Sequence, residues 1–402
     1  MILLIKKYLK NEAKFLLMKK ENRLILDLLR YHADNKNKDR LNELLKGKLD
    51  WNYILEFSRK QGVSPILYKT LKNLNFRKKI LREFEKDYWW VYNKNLVKYR
   101  ELNQIVRECD KEKIEVILLK GMHLAKYVYK DEGLRPFGDV DLLVKRKDIL
   151  KIEGIFKKKG CPPPSYDYNG AKEYHHTKKE VGEYLYYNKK NKFWIEVKYN
   201  VLESNYDNRS TTIDLVNFWK NKIKLKDYGG YVLQDEDLLI YMLLHILDHE
   251  MLVGLRHIFD IIEIINTYKI DWRYIYQNHN KYQDKIYYAL NWVNLFFPGA
   301  IENEAIEMFK PQVMNKLLFD CMKKEIYTKY NSMKSRVDYE SAWPYRMLLR
   351  YILKKKVKYR FIKFALLLCA VEYNKKGKLF YVSQNLVNNK LINSYYQKLV
   401  NN

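Results

Sequence analysis

The chain has 402 residues, of which 47% are hydrophobic and 31% charged, and its formal net charge is +28 at pH 7. It contains only 14 glycines and 8 prolines, a composition that argues against a disordered or low-complexity chain and favours a folded, mostly helical protein. The length allows two or three domains with a sizeable core.

Cysteine usage and hydropathy bear on the compartment. The apolar run at the N-terminus is interrupted by charges, and the longest apolar run, 361–371, contains Lys363 and falls short of the ~20 residues of a membrane span. We therefore expect no signal peptide, no membrane span and a cytoplasmic protein. The four cysteines show no metal-ligand spacing and are typical of reduced thiols: Cys109, Cys161, Cys321 and Cys369.

The positive charge suggests attraction to polyanions at low salt. Lysine greatly outnumbers arginine, however, and the basic residues are spread along the chain without forming one basic arm. A compositionally biased genome produces the same pattern. The charge is therefore weaker evidence for an RNA or DNA substrate than for general electrostatic attraction.

Residues 1–100 have the apolar spacing of helices, with breaks at Asn35–Asp39 and Gly62–Pro65. A further helix is predicted over Lys94–Glu112. Three aromatic residues precede it, and we expect them to pack in the core rather than to form a base-stacking platform: Trp89, Trp90 and Tyr92.

The next stretch, Glu115–Lys145, reads EVILLKGMHLAKYVYKDEGLRPFGDVDLLVK. The apolar run Val116–Leu119 predicts a strand that ends at a turn, Lys120-Gly121, and His123–Tyr129 predicts a short helix. A loop rich in turn residues then leads into a second strand.

Asp139 and Asp141 stand at the start of that second strand. Side chains two residues apart on a strand share a face, so both carboxylates leave one face while Val140, Leu142 and Val144 enter the core. Close carboxylates repel unless a cation lies between them, and Mg²⁺ accepts oxygen ligands of this kind. The alternative is a solvated strand end with two ordinary aspartates.

A helix is predicted over Lys147–Lys159, and a hairpin follows with strands at Tyr184–Tyr187 and Lys192–Tyr199. Alternation puts Glu196 on the face opposite the core, where it can serve as a third carboxylate. Its alternative is an exposed glutamate paired with Lys198. Two histidines precede the hairpin as substrate contacts or exposed loop residues: His175 and His176.

Helical patterns resume at Val232. His245 and His249 share a helix face, but Ile246 stands where the H-E-x-x-H zinc motif requires glutamate, which argues against zinc. We expect these histidines, with Arg256 and Asp260, to line the back of a cleft or to brace helices. The amphipathic segment 346–371 is expected to pack in a core, and the alternative is contact with a partner or a membrane surface.

The order of LLKG, a helix, LRPFGDVDLLV and IEVKY resembles a bacterial family of largely uncharacterised nucleotidyltransferases in the DNA polymerase β superfamily. The segments Trp51–Leu71 and Leu233–Ile261 are similar to the N- and C-terminal helical segments of that family. The resemblance covers roughly residues 50–265, and the combination is more specific than any one piece. It implies an α+β fold, in which a polymerase-β-like nucleotidyltransferase core with a small mixed sheet spans 101–230 between helical regions 1–100 and 231–402.

The resemblance also implies roles for individual residues. Asp139 and Asp141 match the paired metal ligands and Glu196 the third carboxylate, so these three are the expected catalytic and metal-binding residues. Two departures concern the substrate: no serine follows Gly121, and Lys198 stands where the family often has histidine. The expected substrate-binding residues are Lys120, Gly121, Arg135, Gly138 and Lys198, with Arg135 meeting phosphate or bracing its loop.

These features predict a metal-dependent nucleotidyltransferase that uses two Mg²⁺ ions, with Mn²⁺ as the alternative, to move NMP from an NTP such as ATP. The expected acceptor is a hydroxyl of a small molecule, a peptide or a protein. An RNA-directed, toxin-like enzyme and a catalytically inactive nucleotide-binding scaffold are the alternatives. The sequence does not determine the acceptor, the preferred NTP or the oligomeric state.

Overall fold

A computed structural model describes residues 19–36, 38–162, 177–178, 182–201, 214–248 and 253–311. All of them belong to one of the two compact units into which the chain divides. Several sequence predictions fall outside these ranges: those for His175, His176, His249, Cys321, Cys369 and 346–371.

Five helices open the described chain: α1 (Lys20–Asp34), α2 (Lys38–Lys46), α3 (Trp51–Gln61), α4 (Ser64–Asn73) and α5 (Lys78–Lys111). The Asp50 side chain accepts a hydrogen bond from the Tyr53 amide at 3.0 Å and caps the N-terminus of α3. Gly62 ends the same helix with a φ of 71°, a left-handed conformation that suits glycine. Helix α5 is longer than predicted, and the predicted domain boundary at residue 100 falls inside it.

Seven strands form one mixed sheet among the described residues: β1 (Ile117–Leu119), β2 (Val140–Leu143), β3 (Thr177–Lys178), β4 (Glu183–Asn188), β5 (Phe193–Lys198), β6 (Ile223–Lys224) and β7 (Tyr231–Val232). Their order is β3-β4-β5-β2-β1-β7-β6. Strand β2 at the centre pairs antiparallel with β1 and parallel with β5. The predicted hairpin is β4–β5, which pairs antiparallel.

The remaining helices are α6 (Lys120–His123, continued by a π-helical turn, Leu124–Val128), α7 (Ile149–Lys158, preceded by a 3₁₀ turn, Arg146–Asp148), α8 (Val216–Asn221), α9 (Asp235–Asp248), α10 (Leu255–Thr267), α11 (Trp272–Asn278), α12 (Gln283–Phe296) and α13 (Asn303–Met308). A 3₁₀ turn, Asn280–Tyr282, separates α11 from α12. No helix in the described ranges combines the length and the hydropathy needed to cross a bilayer.

The sheet packs one face against α5 and α7. Leu102 and Ile105 of α5 and Phe156 of α7 share one buried cluster with strand residues such as Leu142 and Ile195. On β2 and β5 the residues of this cluster alternate with Asp141, Glu196 and Lys198 of the opposite face, as period-2 patterning requires. The α+β fold with a small mixed sheet is therefore as predicted.

The helices at the two ends of the described chain touch each other. The Arg30 guanidinium of α1 donates to the Phe296 carbonyl at the end of α12, with its Nε at 2.9 Å. The Asn266 amide of α10 donates to the Ala33 carbonyl at 3.1 Å. The described segments before and after the sheet are thus in direct contact.

The prediction that Trp89 and Trp90 pack in the core is wrong. Their side chains are 50% and 62% exposed. Val91 and Asn95 face inward on α5, and at 3.6 residues per turn residues 89 and 90 lie on the opposite side of the helix.

Candidate active site

Strand register assembles the predicted carboxylates. Asp141 and Glu196 are direct partners in the parallel β2–β5 pair, so their side chains project side by side. Asp139 immediately precedes β2, two residues from Asp141 and on the same face. One oxygen of each of the three carboxylates lies within 4.8 Å of one oxygen of the other two.

These carboxylates open into a cavity of about 290 Å³ between the polar face of the sheet and helices α9 and α10. The cavity is lined by residues from the turn after β1, the loop before β2, strand β5 and the two helices. They are Lys120, Gly121, Arg135, Phe137, Gly138, Asp139, Asp141, Glu196, Met242, His245, Arg256 and His257. Four of the five predicted substrate-binding residues are among them, and Lys198 is not.

The turn after β1 lies beside the carboxylates because Leu119 pairs with Asp141 across β1–β2. The next residue, Lys120, has a φ of 41°, and its Nζ lies 3.1 Å from Asp141 Oδ1. A left-handed conformation costs about 1–2 kcal/mol for a residue other than glycine. The ion pair with Asp141 offsets this cost and fixes the ammonium at the cavity wall.

Gly121 is required by close packing. A Cβ at this position would lie 2.5 Å from Phe137 Cβ and 2.9 Å from the Arg135 guanidinium. Any side chain would therefore push the loop before β2 away from the start of α6. At the turn where the resemblance implies phosphate binding, the backbone thus packs closely against the Phe137 and Arg135 side chains.

Lys198 is buried among carboxylates and does not reach the cavity lining. Its Nζ lies 3.0 Å from Glu196 Oε2, 3.2 Å from Asp141 Oδ1 and 3.3 Å from Glu183 Oε2. Glu183 was not identified from the sequence. It faces Lys198 across the β4–β5 pair, and its side chain is 1% exposed.

The charges around Asp141 set its protonation. Burial alone would raise the pKa of Asp141, but the ammonium groups of Lys120 and Lys198 outweigh burial and hold this pKa below its ordinary value. The pKa of Glu196 is raised instead, by burial and by the negative charge of Asp141, against the opposing charge of Lys198. The metal-free site thus keeps Asp141 ionised and favours a proton on Glu196.

Helix α10 braces the loop before β2, which contains Arg135 and Pro136. Arg135 donates from Nε to Asp260 Oδ1 at 3.1 Å and from Nη2 to Asp260 Oδ2 at 2.8 Å, and both side chains are buried. Tyr129 donates to Asp260 Oδ1 at 2.9 Å. This bidentate pair supports the bracing alternative for Arg135, although the residue also borders the cavity.

Arg256 approaches the cavity from α10. Its Nη1 donates to the Pro136 carbonyl at 2.8 Å, and its Nη2 lies 3.2 Å from His257 Nε2. His245 of α9 borders the same cavity, with its ring centroid 5.8 Å from that of His257. Arg256 and His245 were expected to line the back of a cleft, and both lie in the lining of this cavity.

Helix α5 fastens the loop before β2 from the other side. Asn95 donates to the carbonyls of Glu132 and Arg135 at 2.7 Å and 3.0 Å, and Lys98 donates to the Phe137 carbonyl. Neither Asn95 nor Lys98 was predicted from the sequence to contact this loop. Their i, i+3 spacing on an otherwise apolar face was the available signal, but their targets lie about 40 residues along the chain.

The residues present fit a divalent cation. Asp139, Asp141, Glu183 and Glu196 bring four carboxylates to two ammonium groups, those of Lys120 and Lys198, so the fully ionised cluster carries a net charge of −2. Carboxylate oxygens are the ligands that Mg²⁺ prefers. Among the residues that the structure describes, the triad of Asp139, Asp141 and Glu196 is the group whose oxygens converge in this way.

A small mixed sheet with paired aspartates at one strand and a third carboxylate on its neighbour is consistent with a nucleotidyltransferase core. The family described as "Uncharacterised nucleotidyltransferase" matches residues 47–298, which is more than half of the chain. The chain belongs to this family. No curated protein and no solved structure matched it in the corresponding comparisons.

Proposed function

We propose that the protein transfers a nucleoside monophosphate from an NTP, such as ATP, to a hydroxyl group of an acceptor. The observation that carries the proposal is the convergence of Asp139, Asp141 and Glu196 beside the Lys120-Gly121 turn in one cavity. The acceptor hydroxyl forms a new ester bond to the α-phosphorus, the bond between the α-phosphorus and the bridging oxygen breaks, and pyrophosphate leaves. The hydroxyl proton is released.

The three carboxylates would hold two Mg²⁺ ions, with Mn²⁺ as the alternative. Such ions supply charge neutralisation for the triphosphate and lower the pKa of the acceptor hydroxyl. The carboxylates are held in place by β2 and β5, and Asp141 is kept ionised by its two lysine partners. Because adjacent strands already hold the three carboxylates together, the cost of bringing like charges close is met on folding and not on binding.

The positive groups around the cavity receive the triphosphate. Lys120 and Arg256 border it from opposite walls, the turn and α10, and offer charge-assisted hydrogen bonds to phosphate oxygens. Gly121 keeps the turn close to Phe137, and exposed Gly138 leaves the approach to Asp139 open, with no atom within 4 Å of a Cβ placed there. Glu196 loses its proton when a cation binds, and the ionised carboxylate would then help to take the hydroxyl proton.

One observation favours a second function, nucleotide binding without transfer. Two ammonium groups already contact Asp141 Oδ1, at 3.1 Å and 3.2 Å, and so compete with a cation for that oxygen. A scaffold that binds an NTP through Lys120 and Arg256 would need no metal-held triad. The two functions differ in whether pyrophosphate is released.

The test removes the charge of each aspartate and keeps its shape. Asp139→Asn and Asp141→Asn should abolish pyrophosphate release from Mg²⁺-NTP in the presence of cell extract as the acceptor source. Exposed Asp39→Asn in α2 is the matched control and should keep wild-type activity. Wild-type protein that binds Mg²⁺-NTP and releases no pyrophosphate would favour the scaffold. Wild-type protein that binds no Mg²⁺-NTP at millimolar concentration would contradict both functions.

A further inference from the structure

A second cavity, of about 450 Å³, adjoins the carboxylate cavity. Phe137 and Gly138 line both, and Gly138 directly precedes Asp139. We call the second cavity the side groove. One of its walls is the flank of α5 that carries Trp90, Lys94 and Lys98, and the other is the β4–β5 turn. A molecule lying in the side groove would therefore reach the carboxylates at Gly138.

The described charged residues that line the side groove are all basic. It is lined by four lysines, two from α5 and two from the β4–β5 turn, and none of its described lining residues is acidic: Lys94, Lys98, Lys190 and Lys192. Lys98 donates a hydrogen bond to the Phe137 carbonyl, and the other three lysines are exposed to solvent. A polyanion fits this lining.

The side groove also has an exposed aromatic surface. Trp90 borders it and is 62% exposed, and Lys94 Nζ lies 6.0 Å from the centroid of the Trp90 ring. The Trp90 ring therefore offers an uncovered face beside an ammonium group, and such a face can stack against a ligand. Single-stranded nucleic acids bind where lysines neutralise the phosphate backbone and aromatic rings stack on the bases. Every base can take part, because every base offers a stacking face.

We propose that the side groove binds the acceptor and that the acceptor is an end of a single-stranded nucleic acid. The inference rests on the proposed nucleotidyl transfer. Lys94, Lys190 and Lys192 contact the phosphates, and Trp90 stacks on a base near the end. The terminal ribose hydroxyl then lies by Gly138, attacks the α-phosphorus of the NTP and displaces pyrophosphate, while its proton passes to Glu196. The chain is extended by one nucleotide.

The first measurement is binding, which does not depend on transfer. Full-length protein and a fluorescent 12-nucleotide RNA of mixed sequence are titrated by anisotropy between 50 and 300 mM salt. The triple variant Lys94→Gln, Lys190→Gln, Lys192→Gln should reduce the slope of log Kd against log salt by about 2, since each phosphate contact on a single strand contributes about 0.7. The matched control carries the same charge change at exposed lysines outside both cavities: Lys151→Gln, Lys226→Gln and Lys269→Gln.

Trp90→Ala should weaken RNA binding about tenfold, and Trp90→Phe should recover part of the loss because a ring remains. A polyglutamate peptide of equal charge tests for an acidic protein partner, and it should bind weakly and be insensitive to Trp90→Ala. Equal losses of RNA binding in the groove triple and the control triple would overturn the side groove as the site. Polyglutamate that binds as tightly as RNA, with the same Trp90 dependence, would overturn the nucleic-acid assignment.

The second measurement separates the two proposals. RNA and α-labelled NTP are incubated with wild type, Asp139→Asn and the groove triple. Label should enter RNA with wild type alone, while Asp139→Asn should still bind RNA. Groove-dependent RNA binding with no pyrophosphate release to any acceptor would contradict nucleotidyl transfer. Pyrophosphate release that continues unchanged in the groove triple would contradict the side groove as the acceptor site.

Discussion

At the scale of single residues, Lys198 controls the charge of the site. It contacts three carboxylates from three neighbouring strands, and its side chain is 5% exposed. Removing one member of a buried ion cluster leaves the remaining charges without compensation, which costs more than the cluster contributes. In this protein the uncompensated charge would be negative, so a divalent cation could replace part of what the lysine supplied.

This leads to a stability prediction for Lys198→Met. The variant should lose about 3–5 kcal/mol of the free energy of unfolding in the presence of EDTA, and saturating Mg²⁺ should restore part of the loss. Chemical denaturation with and without Mg²⁺ measures both effects. Lys151→Met, at an exposed position in α7, is the matched control and should change stability by less than about 0.5 kcal/mol. A Lys198→Met protein as stable as wild type in EDTA would contradict the proposed role of the lysine.

Glu196 gives a prediction about protons. Because its pKa is raised in the metal-free chain, Glu196 retains a proton at pH values above the ordinary range of a carboxyl group. A cation binds the ionised form, so binding expels this proton, and the affinity for Mg²⁺ should rise with pH until the raised pKa is passed. Calorimetric titration in buffers of different ionisation enthalpy should show proton release at neutral pH.

The matched variant is Glu196→Gln, which has no proton to lose. Its weaker Mg²⁺ binding should show the same heat in every buffer. Proton release of equal size in wild type and in Glu196→Gln would assign the proton to another group.

At the scale of elements, the contact between the turn after β1 and the loop before β2 determines the shape of the cavity. Gly121→Ala places a Cβ 2.5 Å from Phe137 Cβ and should destabilise the protein by about 1–3 kcal/mol and weaken NTP binding. Gly154→Ala is the control in α7, where nothing lies within 4 Å of a new Cβ, and it should stabilise by about 1 kcal/mol. Thermal unfolding and NTP titration distinguish the two. Normal NTP binding by Gly121→Ala would show that the close contact does not shape the site.

The same elements show what the sequence could predict. Strand alternation placed Asp139, Asp141 and Glu196 on one face of a sheet, because period-2 patterning is local and strong. The partners of these residues could not be found in the same way: the salt bridge from Arg135 to Asp260 spans 125 residues, and Glu183 faces Lys198 only through strand pairing. Such contacts depend on tertiary register, which no local pattern records.

Trp90 shows a different limit. Its sequence neighbourhood, a helical run with mixed aromatic and basic residues, is compatible with burial and with exposure. Only the packing of α5 against the sheet decides which side of the helix faces water. The exposure of Trp90 is therefore set by the fold, which also places the ring beside the side groove.

At the scale of the whole molecule, the described helices before and after the sheet complete the site. Asn95 and Lys98 from the first set hold one side of the loop before β2, and Asp260 and Arg256 from the second set hold the other. Without these helices, the carboxylates would lie on an uncovered face of the sheet. The match of the family over residues 47–298 includes α5 and α10, the helices that supply these four residues, in agreement with a site that needs them.

The central claim is that the protein moves the α-phosphate of an NTP with its nucleoside. The most direct measurement compares α-labelled and γ-labelled ATP, GTP, CTP and UTP in parallel reactions with Mg²⁺ and an acceptor mixture of RNA and cell extract. The α-label should appear on an acceptor while the γ-label appears in pyrophosphate, and both signals should vanish with Asp139→Asn. Transfer of the γ-label to an acceptor, or no release of pyrophosphate from any of the four NTPs, would contradict the account.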